Sequence, residues 1–145
     1  MGAFEQLTPP VTRTQIVRFA GAAGDFNPMH HDETFAQANG QPSVFAMGQL
    51  TAALLGSAVT EWLGRCNLAG YSVRFKEKVW PGDCLMLTGR QVDERRWDLK
   101  GVREVDDVVV VTGWAIVRPS QPSPPEAAST ETDGARSSAS AIRSS

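Results

Sequence analysis

The stretch VFAMGQLTAALLGSAVT, which runs from Val44 to Thr60 without a charged residue, decides the fold. It is apolar on nearly every side of a helical projection. The helix that it predicts, continuing to Leu63 with Ser43 as its N-cap, should therefore be wrapped by other structure. Gly, Ala, Ser, Thr and Gln dilute the stretch, which falls short of the ~20 strongly apolar residues that a bilayer crossing needs. We expect a helix buried in a protein core and no membrane span.

From Asn67 onward the pattern changes from helical to β. Apolar and polar residues alternate through LAGYSVRFKEKVW, and WPGD has the residues of a turn. Three further strands are predicted in CLMLTGRQVD, RWDLKGVREV and VVVVTGWAIVRP, separated by Asp-Glu-Arg and Asp-Asp turns. Four successive strands with hairpin-length links predict an antiparallel sheet. A long buried helix beside such a sheet predicts an α+β fold with the helix packed on the sheet.

The length and composition predict one domain and a tail. A chain of 145 residues is long enough to bury roughly two thirds of the surface that its unfolded form would expose. Residues 119–145 are dominated by Pro, Ser, Thr, Ala and Glu and contain almost nothing apolar to bury. We therefore expect a folded domain over residues 1–118, followed by a disordered tail.

Charge and cysteine content limit the partners and the compartment. The net charge is −2, from 14 basic and 16 acidic residues, and no basic run could follow a phosphate backbone, so nucleic acid is not an expected partner. Cys66 and Cys84 show no Cys-x-x-Cys spacing, and the N-terminus lacks the basic-then-apolar pattern of a secretion signal. We expect a cytoplasmic protein.

Two short helices are predicted on either side of the segment GDFNPMHHD. Thr12 or Thr14 can cap a helix through RTQIVRFAGAAG, which Gly24 ends. Asp32 can cap a second helix, ETFAQANG, whose Gly40 fits the left-handed position after a helix end. The segment between them is therefore a loop held at both ends.

This loop contains the chemistry of the chain. Asp25 and His30 stand five residues apart across a turn that Asn27-Pro28 would close, since the residue before a proline is pushed out of the helical region. The two side chains can then converge on one water or small molecule. A carboxylate and an imidazole in that position can act as a general base and acid pair.

Other interpretations of the loop stay open at this point. Asp25 and Asn27 could be turn and cap residues, with His30 a partly buried histidine whose hydrogen bonds are satisfied. A metal site could use the loop's histidines and aspartates, but adjacent His30 and His31 would point to different sides, and no cluster elsewhere would complete the shell. We therefore predict no metal. A nucleophilic triad is not indicated, because the chain has no Gly-x-Ser-x-Gly motif.

Three segments resemble one known family. FAGAAGDFNPMHHDETFA resembles the signature of the MaoC-like (R)-specific enoyl-CoA hydratases, and PSVFAMGQLTAALLG resembles the family's second signature, at the start of its central helix. YSVRFKEKVWPGD resembles the family's recurrent strand and Pro-Gly-Asp turn. Together these segments cover residues 12 to about 90 in the family's order.

The resemblance implies a hotdog fold, in which a curved antiparallel sheet wraps a long helix. It also implies that Asp25 and His30 are the catalytic residues, that Asn27 supports their loop, and that the backbone N–H of Gly48 binds the thioester carbonyl. Phe45 and Met47 would line the substrate pocket. The physics of a helix N-terminus fits the role of Gly48, because its unpaired N–H groups can stabilise a developing enolate oxygen, and a glycine there lets a ligand approach closely.

The sequence departs from the family's pattern beside Gly48. Met47 stands where many members have histidine, and Gln49 stands where many have methionine. Neither residue belongs to the acid and base pair, so hydration stays the expected activity, while the shape and polarity of the acyl pocket are left open. His31, beside the matched histidine, is expected at the surface or behind the site.

The expected function is reversible hydration of trans-2-enoyl thioesters to (R)-3-hydroxyacyl thioesters, without a metal or redox cofactor. The acyl group would be carried on CoA or acyl carrier protein. The family resemblance implies a dimer, formed with a second copy or with a different hotdog chain. Two alternatives stay open: an acyl-CoA thioesterase, and a non-catalytic or partner-dependent subunit that binds acyl thioesters.

Overall fold

The chain folds as one strand, three α-helices and four further strands, in a computed structural model that describes residues 1–119. Short 3₁₀ turns precede the second helix and follow the third. The bounds of the elements are β1 Ala3–Leu7, α1 Arg13–Ala23, α2 Glu33–Ala38, α3 Gly48–Leu63, β2 Leu68–Phe75, β3 Leu85–Gln91, β4 Arg96–Arg103 and β5 Val108–Val117. The predicted tail lies outside the described residues, apart from Pro119.

The five strands form one antiparallel sheet in the order β1-β3-β4-β5-β2. The sequence pattern predicted the antiparallel sheet correctly, but the link between β2 and β3 is not a hairpin. β2 crosses to the far side of the sheet and pairs with β5, with Phe75 opposite Val111. The connecting residues 76–84 bond to the sheet at both ends: Lys76 and Glu77 donate backbone hydrogen bonds to the Val110 carbonyl, and the Cys84 carbonyl accepts one from the Glu104 N–H.

Strand β1 was not predicted from the sequence. Its five residues include a single buried side chain, Phe4, which is too weak a pattern to indicate a strand. The ring of Phe4 lies over Gly89 of β3, where any Cβ would overlap it. The absence of a side chain at Gly89 therefore allows β1 to pair with β3 as an edge strand of the sheet.

Helix α3 packs against one face of the sheet, the arrangement expected of the hotdog fold. Its buried residues meet the inward side chains of the strands in one core, whose fully buried members include Leu55, Leu85 and Leu87. The helix begins at Gly48 and not at Val44 as predicted, with Met47 as an N-cap that makes no side-chain hydrogen bond.

Residues 44–47 are extended because they bond to other parts of the chain. The N–H of Ala46 donates to the Val79 carbonyl at 2.9 Å. Ser43, predicted as the helix cap, instead accepts a hydrogen bond from Arg13 at 3.1 Å and lies 3.4 Å from a carboxylate oxygen of Glu33. This extended segment joins the loop of interest to the start of α3.

Strand β2 is set against α3 at two glycines. The Tyr71 ring packs on Gly56, and its hydroxyl donates to the Ala52 carbonyl at 2.8 Å. The Phe75 ring packs on Gly48. The two glycines are eight helical residues apart and the two aromatic residues are four strand residues apart, and both separations correspond to roughly 12–13 Å. The two contacts can therefore form together. Burial raises the pKa of Tyr71 to about 12.

The caps of the two short helices form as predicted. The Thr12 hydroxyl accepts from the Gln15 N–H at 3.0 Å, and Gly24 ends α1 in the left-handed region with φ 69°. The Asp32 carboxylate accepts from the Phe35 N–H at 3.0 Å at the start of α2. Within residues 1–119, no helix combines the length and apolar character needed to cross a membrane.

Candidate active site

The loop between α1 and α2 is organised by Asn27. Its side-chain oxygen accepts from the Met29 N–H at 3.1 Å, and its carbonyl accepts from the His30 N–H at 3.0 Å. Its own N–H donates to the Asp25 carboxylate at 3.3 Å. Pro28 then starts a single 3₁₀ turn that ends at His30. Asn27 therefore braces both ends of the turn that separates the aspartate from the histidine.

Asp25 and His30 lie side by side, as their spacing predicted. The His30 Nε2 atom is 3.5 Å from the Asp25 Oδ2 atom. The His30 side chain is only 8% exposed, whereas that of Asp25 is 35% exposed. One carboxylate oxygen faces the Asn27 N–H and the other faces the imidazole. The pair is thus reachable from solvent on the aspartate side.

The other nitrogen of His30 has a defined role. His30 Nδ1 lies 2.7 Å from the carbonyl oxygen of Phe45. A carbonyl oxygen can only accept, so Nδ1 carries a proton, and in the neutral imidazole Nε2 then carries the lone pair. The Phe45 ring also stands edge-on to the imidazole, with 5.2 Å between ring centroids. The extended segment before α3 therefore orients the histidine.

Gly48 is the first residue of α3, and its N–H has no acceptor within residues 1–119. A Cβ at this position would lie 2.8 Å from Cε2 of Phe75 and 3.0 Å from its Cγ. The sequence suggested that a glycine here admits a ligand. The structure gives a further reason for the glycine, because the Phe75 ring occupies the space that a side chain would need.

The two residues predicted to line the pocket differ in their surroundings. Met47 is 2% exposed and belongs to the hydrophobic core of the isolated chain. Phe45 is partly exposed and contacts the Trp80 ring at a centroid distance of 5.8 Å, with the Lys78 ammonium 5.4 Å from its own ring centre. Trp80 and Lys78 were not identified as neighbours of the site from the sequence, since only tertiary packing brings residues 76–84 to Phe45.

Glu33 and Arg13 hold the start of the same segment. The Glu33 carboxylate accepts from the Arg13 guanidinium at 2.6 Å and lies 3.5 Å from the Val44 N–H. The hydrogen bond from Arg13 holds the pKa of Glu33 below its ordinary value. This ion pair joins α1 and α2 to the residue that precedes Phe45.

The remaining polar residues of the loop point to other partners. His31 is exposed, and its Nε2 lies 3.3 Å from the Phe26 carbonyl, while Asp32 caps α2.

Over residues 1–119, no group of three or more His, Cys, Asp and Glu side chains is placed to hold a metal ion. Phe26, between Asp25 and Asn27, is 71% exposed.

A groove of about 1240 Å³ lies on the opposite, outer face of the sheet. Arg74, Thr88, Lys100 and Trp114 are among the side chains that line it, and the loop residues are not. The Asp25 and His30 pair is therefore separate from this groove.

Known structures share this architecture. The chain is similar to the R-hydratase PhaJ1 from Pseudomonas aeruginosa, with a TM-score of 0.69 and 24% identity over 80% of this chain and 78% of that one. It is similar to the (R)-hydratase from A. caviae involved in PHA biosynthesis, with a TM-score of 0.68 and 23% identity over 81% and 93% of the two chains. The ChsH1–ChsH2 complex from Mycobacterium tuberculosis matches with a TM-score of 0.66 and 24% identity over 81% and 96%. These likenesses confirm the fold.

No curated protein matches the chain. The family model described as the MaoC-like domain does match, over residues 3–113. This range takes in β1, the loop with Asp25 and His30, all of α3 and most of the sheet. Because the match extends over well more than half of the sequence, the chain belongs to the family of MaoC-like domains.

Proposed function

We propose that this protein catalyses the reversible hydration of trans-2-enoyl thioesters to (R)-3-hydroxyacyl thioesters. Membership of the MaoC-like family supports hydratase or dehydratase activity. One observation carries the proposal. His30 Nε2 and Asp25 Oδ2 lie 3.5 Å apart at a solvent-reachable position, while the Phe45 carbonyl engages the other histidine nitrogen.

This geometry suits the activation of one water. A water about 2.8 Å from each of the two atoms would form a triangle with them, at ordinary hydrogen-bond lengths. Because Nδ1 is committed to Phe45, Nε2 is the ring nitrogen free to exchange a proton with water or substrate. The water oxygen would add to the β-carbon as the pair takes one of its protons, and a proton would be delivered to the α-carbon on the same face. Atoms and electrons balance without an oxidant or reductant.

The N–H of Gly48 would stabilise the enolate oxygen that forms during this addition. It is the first amide of α3, at the positive end of the helix dipole, and it has no acceptor within the described part of the chain. A donor of this kind typically contributes about 3–4 kcal/mol to lowering the barrier. The thioester would arrive on a carrier thiol, either CoA or acyl carrier protein.

A dimer is part of this proposal. β1 and β2 are the two edges of the sheet, and an exposed edge with apolar side chains invites pairing. Leu7 on β1 is 47% exposed. The ChsH1–ChsH2 complex shows that a related fold occurs in a two-component assembly. Native mass spectrometry of the purified chain, alone and from its source cells, distinguishes a second copy from a different hotdog partner.

The test uses the loss of enoyl-thioester absorbance with crotonyl-CoA and a longer enoyl-CoA, with chiral analysis of the product. Asp25→Asn and His30→Gln should each lower kcat by about 10²–10⁴-fold, because each removes a proton-transfer group. His31→Gln is the matched control, since this exposed histidine bonds to Phe26 and should change the rate little. If Asp25→Asn and His30→Gln both kept the activity of His31→Gln and the wild type, the assignment of the catalytic pair would be refuted.

A non-catalytic subunit is the alternative that one observation favours. Met47, where many family members have histidine, is buried in the core and offers no polar group to a ligand. Such a subunit would bind a saturated acyl-CoA and be indifferent to Asp25→Asn. A thioesterase would instead release free thiol, which a thiol reagent detects while the enoyl absorbance is followed in parallel.

A further inference from the structure

We propose that Phe75 is the wall that limits substitution at the α-carbon of the acyl thioester. This inference rests on the proposed function, in which the thioester carbonyl binds the Gly48 N–H. Phe75 was not among the pocket residues predicted from the sequence. It is the last residue of β2, whereas Gly48 is the first residue of α3.

The contact between Phe75 and Gly48 places an aromatic ring beside the amide. The Cε2, Cδ2 and Cγ atoms of the ring lie 2.8 to 3.0 Å from the position of a Cβ on Gly48. The amide nitrogen and that Cβ position are both one bond from the Gly48 Cα. The ring therefore lies to one side of the position that a ligand bonded to this N–H would occupy.

Phe75 also keeps a free surface on that side. Tyr71, Val73 and Phe75 share the inward face of β2, and the first two are only partly exposed. Phe75 is 47% exposed although it lies on the same face, and its helix contact is with Gly48, the first residue of α3. Part of its ring packs on Gly48 and the rest is available to a ligand.

The size of a thioester connects this wall to the α-carbon. A carbonyl oxygen bonded to the Gly48 N–H would lie about 2.9 Å from the nitrogen. The α-carbon follows after two bonds, each about 1.2–1.5 Å long. A straight enoyl group carries only a hydrogen at this carbon, whereas an α-methyl group would add about 1.5 Å and, in the proposed binding mode, would meet the Phe75 ring. Phe75 thus selects thioesters that are unbranched at the α-carbon.

The experiment compares kcat/KM for crotonyl-CoA and 2-methylcrotonyl-CoA in the full-length protein. Because the branched substrate is intrinsically less reactive, the informative quantity is the ratio of the two values in each variant. Phe75→Ala should raise the branched-to-straight ratio by about 10-fold or more, the usual effect of one methyl group in a pocket. Trp62→Ala is the control, since this exposed aromatic lies at the other end of α3. An unchanged ratio in Phe75→Ala would overturn the inference.

A binding measurement separates this inference from the hydratase proposal. Calorimetry with butyryl-CoA and 2-methylbutyryl-CoA, which cannot be hydrated, reports the wall without requiring turnover. If the wild type binds butyryl-CoA more tightly than 2-methylbutyryl-CoA, and Phe75→Ala loses this preference, the role of Phe75 is supported. Absence of crotonyl-CoA hydration in the same protein would then refute only the hydratase function. Equal affinity of the wild type for both compounds, or no binding of either, would overturn the role of Phe75.

Discussion

Adding one methyl group to each of two glycines in α3 should change stability in opposite directions. Gly48 and Gly56 both face aromatic side chains of β2, but at different distances. A Cβ at Gly56 would lie 3.5 Å from the nearest atom of Tyr71, which is ordinary van der Waals contact. A Cβ at Gly48 would lie 2.8 Å from Phe75, which requires the ring to move.

The magnitudes follow from helix propensity and from burial. Gly56 is in the helix interior, so Gly56→Ala should stabilise the protein by about 0.5–1 kcal/mol. At Gly48 the ring must swing outward and lose its packing. Because Phe75 is already 47% exposed, roughly half of a full side-chain burial is at stake, or about 1–1.5 kcal/mol. Gly48→Ala should therefore destabilise the protein by about 1 kcal/mol after the small gain in propensity at the first helical position.

The assay is urea unfolding followed by tryptophan fluorescence, with both alanine variants measured beside the wild type. The double variant Gly48→Ala/Phe75→Ala should be no less stable than Phe75→Ala alone, because the clash has been removed. If Gly48→Ala proves as stable as Gly56→Ala, the close packing of Phe75 on the helix start is refuted.

Two further predictions concern the contacts that hold the sheet and its loops. Tyr71 is the single tyrosine of the chain, and its pKa is raised to about 12 by burial, so the neutral phenol favours the folded state. Its contribution to stability should be complete below pH 10 and decline as the pH rises through 12, and Tyr71→Phe should lack this decline in unfolding experiments at alkaline pH. Arg103, which donates to the Lys78 carbonyl at 2.9 Å and to Asp106, ties residues 76–84 to the β4–β5 turn. Arg103→Ala should lower the free energy of unfolding by about 1–2 kcal/mol, whereas a change below about 0.3 kcal/mol in urea unfolding would contradict this role.

The helix caps and the Asp25–His30 pair could be predicted because they depend on near neighbours. Thr12 and Asp32 each accept a hydrogen bond from a backbone N–H three residues later. The Asn27-Pro28 turn separates Asp25 from His30 by only five residues, and the hydrogen bonds of Asn27 that brace it lie within the loop. Side-chain and backbone preferences at this range act in any tertiary context.

Predictions failed where a residue found a distant partner. Ser43 was expected to cap α3, but its hydroxyl bonds to Arg13, 30 residues earlier, and the helix starts at Gly48. Strand β1 was missed because Phe4 becomes a core residue only against Gly89. Residue type alone does not specify which of several competing partners is closest.

The amino-acid sequence by itself determined the α+β class, the buried central helix, the antiparallel sheet and the loop that joins Asp25 to His30, since periodicity and short-range turns encode them. The tertiary structure decided that β2 pairs with β5, that the Phe45 carbonyl accepts a hydrogen bond from His30 Nδ1, and that Phe75 packs on Gly48. These features depend on contacts between residues far apart in the chain. Such contacts form only when the burial of a shared core selects one arrangement of the strands around α3.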